Sequence, residues 1–331
     1  MIRKIVILFL LMLLVGIGFS AWLFGELRTQ HAPAQPVELM IPKGASTTTI
    51  ARLLAEHDLI RSPLAFRLLA RMEDSGGQLR SGYYRFAAPA TLKTIMQRLR
   101  QGDVMRFQVT IPEGLRSDEI AQLLAKETAG DAQQWLTVMH QLLGKEIEGR
   151  LLPETYQYVK PIDKQLLIRS MIHAQQRILN SLTSDASAQQ RIRIIASIIE
   201  KETRLAKERP LVAAVIRNRL QRGMPLQMDP TVIYGLWRTT GSFSGNIHKR
   251  DLTHDTPWST YTRKGLPPTP ICNPGEASLR AAAAPADVPF LYFVADGSGG
   301  HQFAATLADH QANVRRWIHI ERQRQRKSDG K

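Results

Sequence analysis

Apolar residues are concentrated most strongly at the start of the chain. Residues 5–24 form a run of twenty residues without a charge. A helix rises about 1.5 Å per residue, so about 20 residues cross a hydrocarbon core of roughly 30 Å. Only a helix satisfies its own backbone hydrogen bonds there. The pattern therefore predicts a single N-terminal transmembrane helix, within an anchor segment at residues 1–25.

The residues beside this run indicate its orientation. Arg3 and Lys4 precede it, and positive charges next to a span stay in the cytoplasm. The remaining chain then lies outside the cytoplasm. A cleaved signal peptide is the alternative, because the small residues Gly18 and Ser20 are suitably spaced for cleavage. The apolar run is longer than the roughly 7–15 residues of such a signal, however, and Trp22 suits a membrane interface.

A short sequence repeat follows a predicted linker at residues 26–37. Residues 41–55 and 111–125 share eight of fifteen residues at an offset of 70 positions. In both copies an extended segment reaches Pro-x-Gly, a turn signal, and an amphipathic helix follows. We expect Ser, Thr or Asp to cap each helix.

The first copy belongs to a small predicted module at residues 38–108. A strand is expected at residues 81–86 and a short helix at residues 91–100. Such a βα unit resembles the LysM-type modules, which bind glycans containing N-acetylglucosamine. A spacer module without a ligand is the alternative.

From residue 151 onward the pattern becomes mainly helical. Helices are predicted at residues 164–181, 189–205 and 210–222, followed by loops and short strands. Residues 291–295 read as a buried strand that ends in a Gly-rich turn at residues 296–300, as in a hairpin. A final helix is expected at residues 306–325. The fold class is therefore α+β, with a mixed domain at residues 109–327 that includes the second βα repeat at about 107–127.

Composition limits the kinds of partner and site that the chain can have. The 331 residues carry 44 Lys and Arg against 29 Asp and Glu, a formal charge of +15. Such an excess suits an anionic partner, but export of the chain argues against nucleic acid. Cys272 is the single cysteine, so no internal disulfide can form. The nine histidines include no HExxH pattern, and we expect neither a metal site nor a cofactor.

Two glutamates stand out on the helix at residues 191–206. Its apolar residues form one broad stripe; Glu202 projects near the middle of that stripe and Glu200 at its edge. Apolar surroundings raise the pKa of a carboxyl group, as a general acid at neutral pH requires. Glu202 is therefore the first choice for the acid and Glu200 the second. Alternatively, both are surface charges at a fraying helix end, paired with Lys201 and Arg204.

The same helix resembles that of a known family. Residues 196–203 read ASIIEKET, similar to the catalytic helix of the endolytic murein transglycosylases, the YceG-like family. Further blocks resemble the family in the same order: IPEG at 111–114, LPETY at 152–156, RNRL at 217–220, GM at 223–224, LQ at 226–227, DPTVIYG at 229–235, TY at 260–261, GLPP at 265–268, PI at 270–271, NPG at 273–275, YFV at 292–294 and GH at 300–301. The block at 229–235 is the most specific.

The resemblance implies an enzyme that cuts peptidoglycan glycan strands from within. Such enzymes cleave the bond between N-acetylmuramic acid and N-acetylglucosamine and leave a 1,6-anhydromuramoyl end. One glutamic acid suffices, because it protonates the leaving oxygen and then accepts the proton of the sugar's attacking 6-hydroxyl. An ordinary glycosidase needs a second carboxylate.

Other residues of these blocks are candidates for substrate binding. Asn218, Gln227 and Tyr261 could hydrogen-bond sugar hydroxyl or acetamido groups, although ordinary packing explains them equally. Asp229 is the best second carboxylate, but before Pro230 it also fits a structural role in a turn. His301 follows a Gly-rich turn whose spacing matches no phosphate-binding loop.

Two other functions fit the same sequence. A muramidase would use the same site with water as the nucleophile. A non-catalytic glycan-binding scaffold for cell-wall synthases would need neither glutamate. The resemblance and the anchor together predict a single-pass protein of the cell inner membrane with a periplasmic catalytic domain. There it would meet nascent strands, so we hypothesise contact with peptidoglycan synthases and a role in ending glycan elongation.

Overall fold

The computed structural model describes residues 2–243 and 245–329, with side chains described as far as residue 324. The chain divides into two compact units. Unit 1 is Met1–Gln108 together with Gln157–Asp163, and unit 2 is Val109–Tyr156 together with Lys164–Lys331. The assignment of a LysM-like module and a catalytic domain to these regions remains a prediction.

The apolar run forms the first helix, α1 (Ile2–Arg28). Its 27 residues extend about 40 Å, and its apolar side chains from Ile5 to Val15 are exposed. Among the described residues it is the one helix long and apolar enough to cross a membrane, which fits a single-pass anchor. Near its end, Leu23 and Leu27 pack against the hydrophobic core of unit 1.

The rest of unit 1 is a small α+β module. Its elements are β1 (Gln30–His31), β2 (Val37–Ile41), α2 (Thr47–Glu56), α3 (Pro63–Met72), β3 (Gly82–Phe86), β4 (Ala90–Thr91) and α4 (Leu92–Gln101). Strands β2 and β3 pair antiparallel, with Val37 opposite Phe86, and β1 pairs antiparallel with β4. The predicted linker at residues 26–37 thus contributes the end of α1 and one strand. The core includes Leu54, Phe66 and Tyr84.

The two repeat copies lie in different units and differ at the helix cap. In the first copy, Ser46 Oγ accepts from the Thr49 backbone N–H at 3.1 Å, which confirms the predicted cap. In the second copy the prediction is wrong, because Arg116 occupies the cap position of α5 (Ser117–Thr128). There the Glu119 carboxylate accepts from the Arg116 N–H at 2.8 Å.

Two further strands, β5 (Arg106–Thr110) and β6 (Thr155–Val159), pair with each other.

Unit 2 is built mainly from helices. After α5 come α6 (Ala132–Leu143), α7 (Lys164–Leu182), α8 (Ala186–Glu202), α9 (Arg209–Gln221), α10 (Asp229–Thr240), α11 (Lys249–Leu252), α12 (Glu276–Ala283), β7 (Tyr292–Ala295), β8 (His301–Ala304) and α13 (Leu307–Asp329). The predicted hairpin is confirmed by the antiparallel pairing of β7 with β8. The four predicted long helices also form.

Two sequence predictions for unit 2 are wrong. The helix predicted at residues 189–205 ends at Glu202, where Thr203 has an extended backbone. The region read as loops and short strands contains α10 and α12. Helix α10 begins with Asp229 followed by Pro230, and proline is well tolerated in the first turn of a helix. The same dipeptide also starts turns, which explains the error.

Helix α8 lies at the centre of unit 2. Every residue from Ile192 to Ile199 is buried, including Arg193, whose guanidinium donates to Gln175 Oε1 at 3.0 Å. Helices α7, α9 and α12 supply the surrounding apolar side chains. The last turn of α8 is therefore held rigidly at the edge of the core.

Gly149 provides a test of how tightly this core is packed. Its φ is +71°, and an added Cβ would overlap the ring of Pro270. We expect Gly149→Ala to lower the free energy of unfolding by about 2–4 kcal/mol, through backbone strain and overpacking. At Gly241, with a φ of +76° and open space around it, the same change should cost about 1 kcal/mol. Tryptophan fluorescence during denaturation measures both; equal losses would contradict the packing argument.

Candidate active site

The C-terminal turn of α8 presents its two glutamates differently. Glu202 is partly exposed and lines a cavity of about 580 Å³ together with Thr203, Arg204 and His301. The Glu200 side chain is only 5% exposed. The structure thus brings both predicted glutamates to one cavity, where both carboxylate oxygens of Glu200 are already hydrogen-bonded.

The surroundings of Glu202 favour its neutral form. Burial raises the pKa of its carboxyl group to about 8; Asp229 adds to this effect and Arg219 opposes it. Arg219 is itself buried, and its Nη1 donates to the carbonyl of Leu226 at 2.7 Å. Glu202 is therefore protonated at neutral pH and can act as a proton donor.

Glu200 is committed to a structural network. Its Oε2 accepts from the Gly275 N–H at 2.9 Å, and its Oε1 accepts from Arg209 Nη2 at 3.3 Å. Arg209 also bonds Glu113 Oε2 at 3.2 Å. Burial and the neighbouring Glu200 raise the pKa of Glu113, while Arg209 lowers it. A Cβ on Gly275 would overlap the Glu113 carboxyl, so a larger residue there would displace the Glu113 side chain.

Asn273 holds the loop that carries Gly275. Its Nδ2 donates to the Leu115 carbonyl, Ser117 Oγ and Glu148 Oε1, each at 3.1 Å, and its Oδ1 accepts from the Leu151 N–H at 2.9 Å. Burial raises the pKa of Glu148 to about 7. These bonds join three chain segments beneath the Glu200 network.

Asp229 and Tyr261 form a hydrogen-bonded pair that interacts electrostatically with Glu202. The Tyr261 hydroxyl donates to Asp229 Oδ1 at 2.6 Å. Burial, the hydrogen bond to Asp229 and the negative charge of Asp229 raise the pKa of Tyr261. Asp229 is exposed at the start of α10 and acts on Glu202 by its negative charge. It begins a helix where the sequence suggested a turn, and its role as a second carboxylate remains a prediction.

The remaining predicted contacts are placed less favourably. The Asn218 amide donates to the carbonyls of Val288 and Phe290 at 2.8 and 2.9 Å, which fixes a loop. Gln227 is exposed, with a φ of +50°. The backbone N–H of Gln227 donates to the Thr260 carbonyl at 3.0 Å. The exposed side chain of Gln227 remains accessible. Substrate contacts by both residues remain predictions, and those by Asn218 are disfavoured by its structural bonds.

Sequence reasoning gave no role to several residues that line this cavity or are hydrogen-bonded to its lining. Glu113 and Gly275 lay within blocks of the family resemblance but carried no recognisable catalytic pattern. Glu208 lay outside every block, although it accepts from His301 Nδ1 at 2.7 Å. The described residues contain no cluster of three or more His, Cys, Asp or Glu side chains placed to hold a metal ion.

Comparisons with known proteins agree on one family. The model of the YceG-like family matches residues 39–316. A Bacillus subtilis protein named endolytic murein transglycosylase is 31% identical over 311 residues, which cover 85% of each chain. A Streptococcus pneumoniae protein of the same name is 27% identical over 84% of this chain. The match spans only 58% of that relative's length.

A solved structure agrees with the same family. The crystal structure of a YceG-like protein from Listeria monocytogenes superposes with a TM-score of 0.54 at 28% identity. The match covers 84% of this chain and 99% of the Listeria chain.

The raised pKa of Glu202 predicts how stability depends on pH. Folding raises this pKa from 4.5 to about 8, so the folded chain holds the proton more tightly than the unfolded chain. The contribution of Glu202 to stability is then complete below pH 4.5 and is lost as pH rises to about 8. We expect Glu202→Gln to be more stable than wild type at pH 8 by about 1–4 kcal/mol, and the gain to vanish near pH 4.

Denaturation of both proteins between pH 4 and 9 measures this gain. Glu276→Gln, a change in an exposed ion pair of α12, is the matched control. A constant difference across the pH range would refute the assignment of the raised pKa to Glu202.

Proposed function

The chain belongs to the YceG-like family, and from this membership and the site we propose that it is an endolytic murein transglycosylase. It is a lyase that cuts the glycan strands of peptidoglycan. The observation that carries the proposal is the contrast between the two glutamates. Glu202 is protonated and faces a cavity, whereas Glu200 is bound into the protein.

Glu202 supplies the acid in this reaction. Its proton passes to the oxygen that leaves when the bond between N-acetylmuramic acid and N-acetylglucosamine breaks. The resulting carboxylate then accepts the proton of the sugar's 6-hydroxyl while the oxygen of this hydroxyl forms a bond to the anomeric carbon. One 1,6-anhydromuramoyl end and one new non-reducing end are formed, and Glu202 is protonated again.

The neighbouring groups support this single-acid scheme. Asp229 accepts from Tyr261 and raises the pKa of Glu202. We assign Asp229 to this electrostatic role, and assign Tyr261 and Gln227 to contacts with the sugars. A muramidase would need water to attack in place of the 6-hydroxyl, so the product decides between the two reactions.

The anchor gives the enzyme its location. We infer that α1 crosses the inner membrane with its N-terminus in the cytoplasm, because Arg3 and Lys4 precede the span. The part of unit 1 after α1 and the whole of unit 2 would then lie in the periplasm, where nascent strands and their synthases are found.

Product analysis tests the reaction and the acid together. The full chain in detergent is incubated with purified peptidoglycan, and mass spectrometry identifies the released ends. We expect anhydro ends from wild type and a loss of at least about 100-fold in rate for Glu202→Gln, because the proton donor is removed. Glu200→Gln should retain activity, with a lower stability, because it loses the charge that pairs with Arg209.

Each other result points to a different function. Anhydro ends from Glu202→Gln but none from a folded Glu200→Gln would transfer the acid role to Glu200. Reducing ends would identify a muramidase. Strand binding without any product would favour the glycan-binding scaffold.

The pH dependence of the rate gives a separate test. Because Glu202 must be protonated and its pKa is about 8, kcat/KM should fall tenfold per pH unit above about pH 8. Rates of anhydro-end formation between pH 5 and 10 would reveal this limb. A decline that begins near pH 5 would instead indicate a carboxyl with an ordinary pKa and would contradict the proposed acid.

A further inference from the structure

Glu208 joins the end of the acid-bearing helix to the β7–β8 hairpin. Its side chain is 6% exposed and accepts three hydrogen bonds. Thr203, the residue after Glu202, donates its hydroxyl to Oε2 at 2.9 Å. His301 donates its backbone N–H to Oε1 at 2.9 Å, and its Nδ1 bonds Oε2 at 2.7 Å. The buried Glu208 carboxylate therefore fixes the positions of both Thr203 and His301.

These bonds determine which nitrogen of His301 carries a proton. Burial alone would raise the pKa of Glu208, but the hydrogen bonds from His301 and Thr203 outweigh it and lower that pKa. Glu208 is therefore ionised and accepts a hydrogen bond from the Nδ1–H of His301. In the neutral ring Nε2 then carries a lone pair. No described residue is hydrogen-bonded to Nε2.

The ring of His301 is held rigidly at the cavity. Phe293 packs against it edge-on, with ring centroids 5.2 Å apart. A Cβ on Gly300 would lie 2.7 Å from Glu208 Oε1, so glycine lets the strand approach that carboxylate. The His301 side chain is 18% exposed and lines the same cavity as Glu202. A fixed ring with a free nitrogen is suited to binding a ligand, because little conformational entropy remains to be lost.

We propose that His301 is a substrate-binding residue of this site, whose Nε2 accepts a hydrogen bond from a sugar hydroxyl of the glycan while Glu208 fixes the ring. The proposal rests on the proposed function only in taking a glycan as the ligand. The hairpin thereby becomes part of the cleavage site, and Glu208 is a positioning residue that acts through His301.

Replacing His301 with asparagine separates substrate binding from structure. The amide nitrogen of asparagine can still donate to Glu208, as Nδ1 does, but nothing occupies the position of Nε2. Glutamine does the opposite, since its longer amide reaches the Nε2 position but cannot make the Nδ1 bond to Glu208. His319→Asn, an exposed change on α13 outside the cavity, is the matched control.

Binding is measured in a Glu202→Gln background, so that no strand is cut. Titration calorimetry with short uncross-linked glycan strands gives the Kd, and thermal unfolding gives the Tm. We expect His301→Asn to weaken binding about threefold to tenfold at an unchanged Tm, which is the loss of one hydrogen bond. His301→Gln should bind more tightly than His301→Asn despite a lower Tm, and His319→Asn should match the background protein.

The opposite results would overturn the proposal. A folded His301→Asn that binds as tightly as the background protein would show that Nε2 contacts no sugar. If His301→Asn lowers the Tm and His301→Gln binds the glycan no more tightly than His301→Asn does, the bond between His301 and Glu208 is purely structural. Because binding is read without cleavage, failure here differs from failure of the proposed reaction, which is judged on the products of wild type.

Discussion

The burial of α8 is the constraint on which the site depends. Eight consecutive residues, from Ile192 to Ile199, are enclosed by the helices around them. The end of this helix is therefore fixed at the edge of the core, where burial raises the pKa of the Glu202 carboxyl. The protein thus accepts a destabilising group at the edge of its core, as is usual for functional sites.

The segments around the end of α8 serve to keep that edge in place. Glu200 is held by the backbone of Gly275 and by Arg209, while Asn273 ties the same loop to Leu115 and Leu151. Most of these partners are backbone groups, which cannot change rotamer when a substrate enters. Fixed hydrogen bonds of this kind preorganise a site, so little reorganisation is needed when the reaction occurs.

The sequence predicted those features that follow from periodicity. The 3.6-residue repeat of apolar side chains located α8, because that property is local, whereas its ranking of Glu202 above Glu200 as the acid remains a prediction. It could not reveal the bonds from Glu200 to Gly275 or from Glu208 to His301, since these partners are 75 and 93 residues apart in the chain. The start of α10 was misread because Asp229 and Pro230 form a signal shared by turns and helices.

Cys272 gives this core an internal reporter. The single thiol of the chain is fully buried, and its Sγ donates to the Ser197 carbonyl of α8 at 3.3 Å. Burial also raises its pKa well above the ordinary value, so the reactive thiolate is scarce in the folded state. A thiol reagent can therefore modify the native chain only during transient openings around α8. The labelling rate measures how often the packing around α8 opens, without any engineered probe.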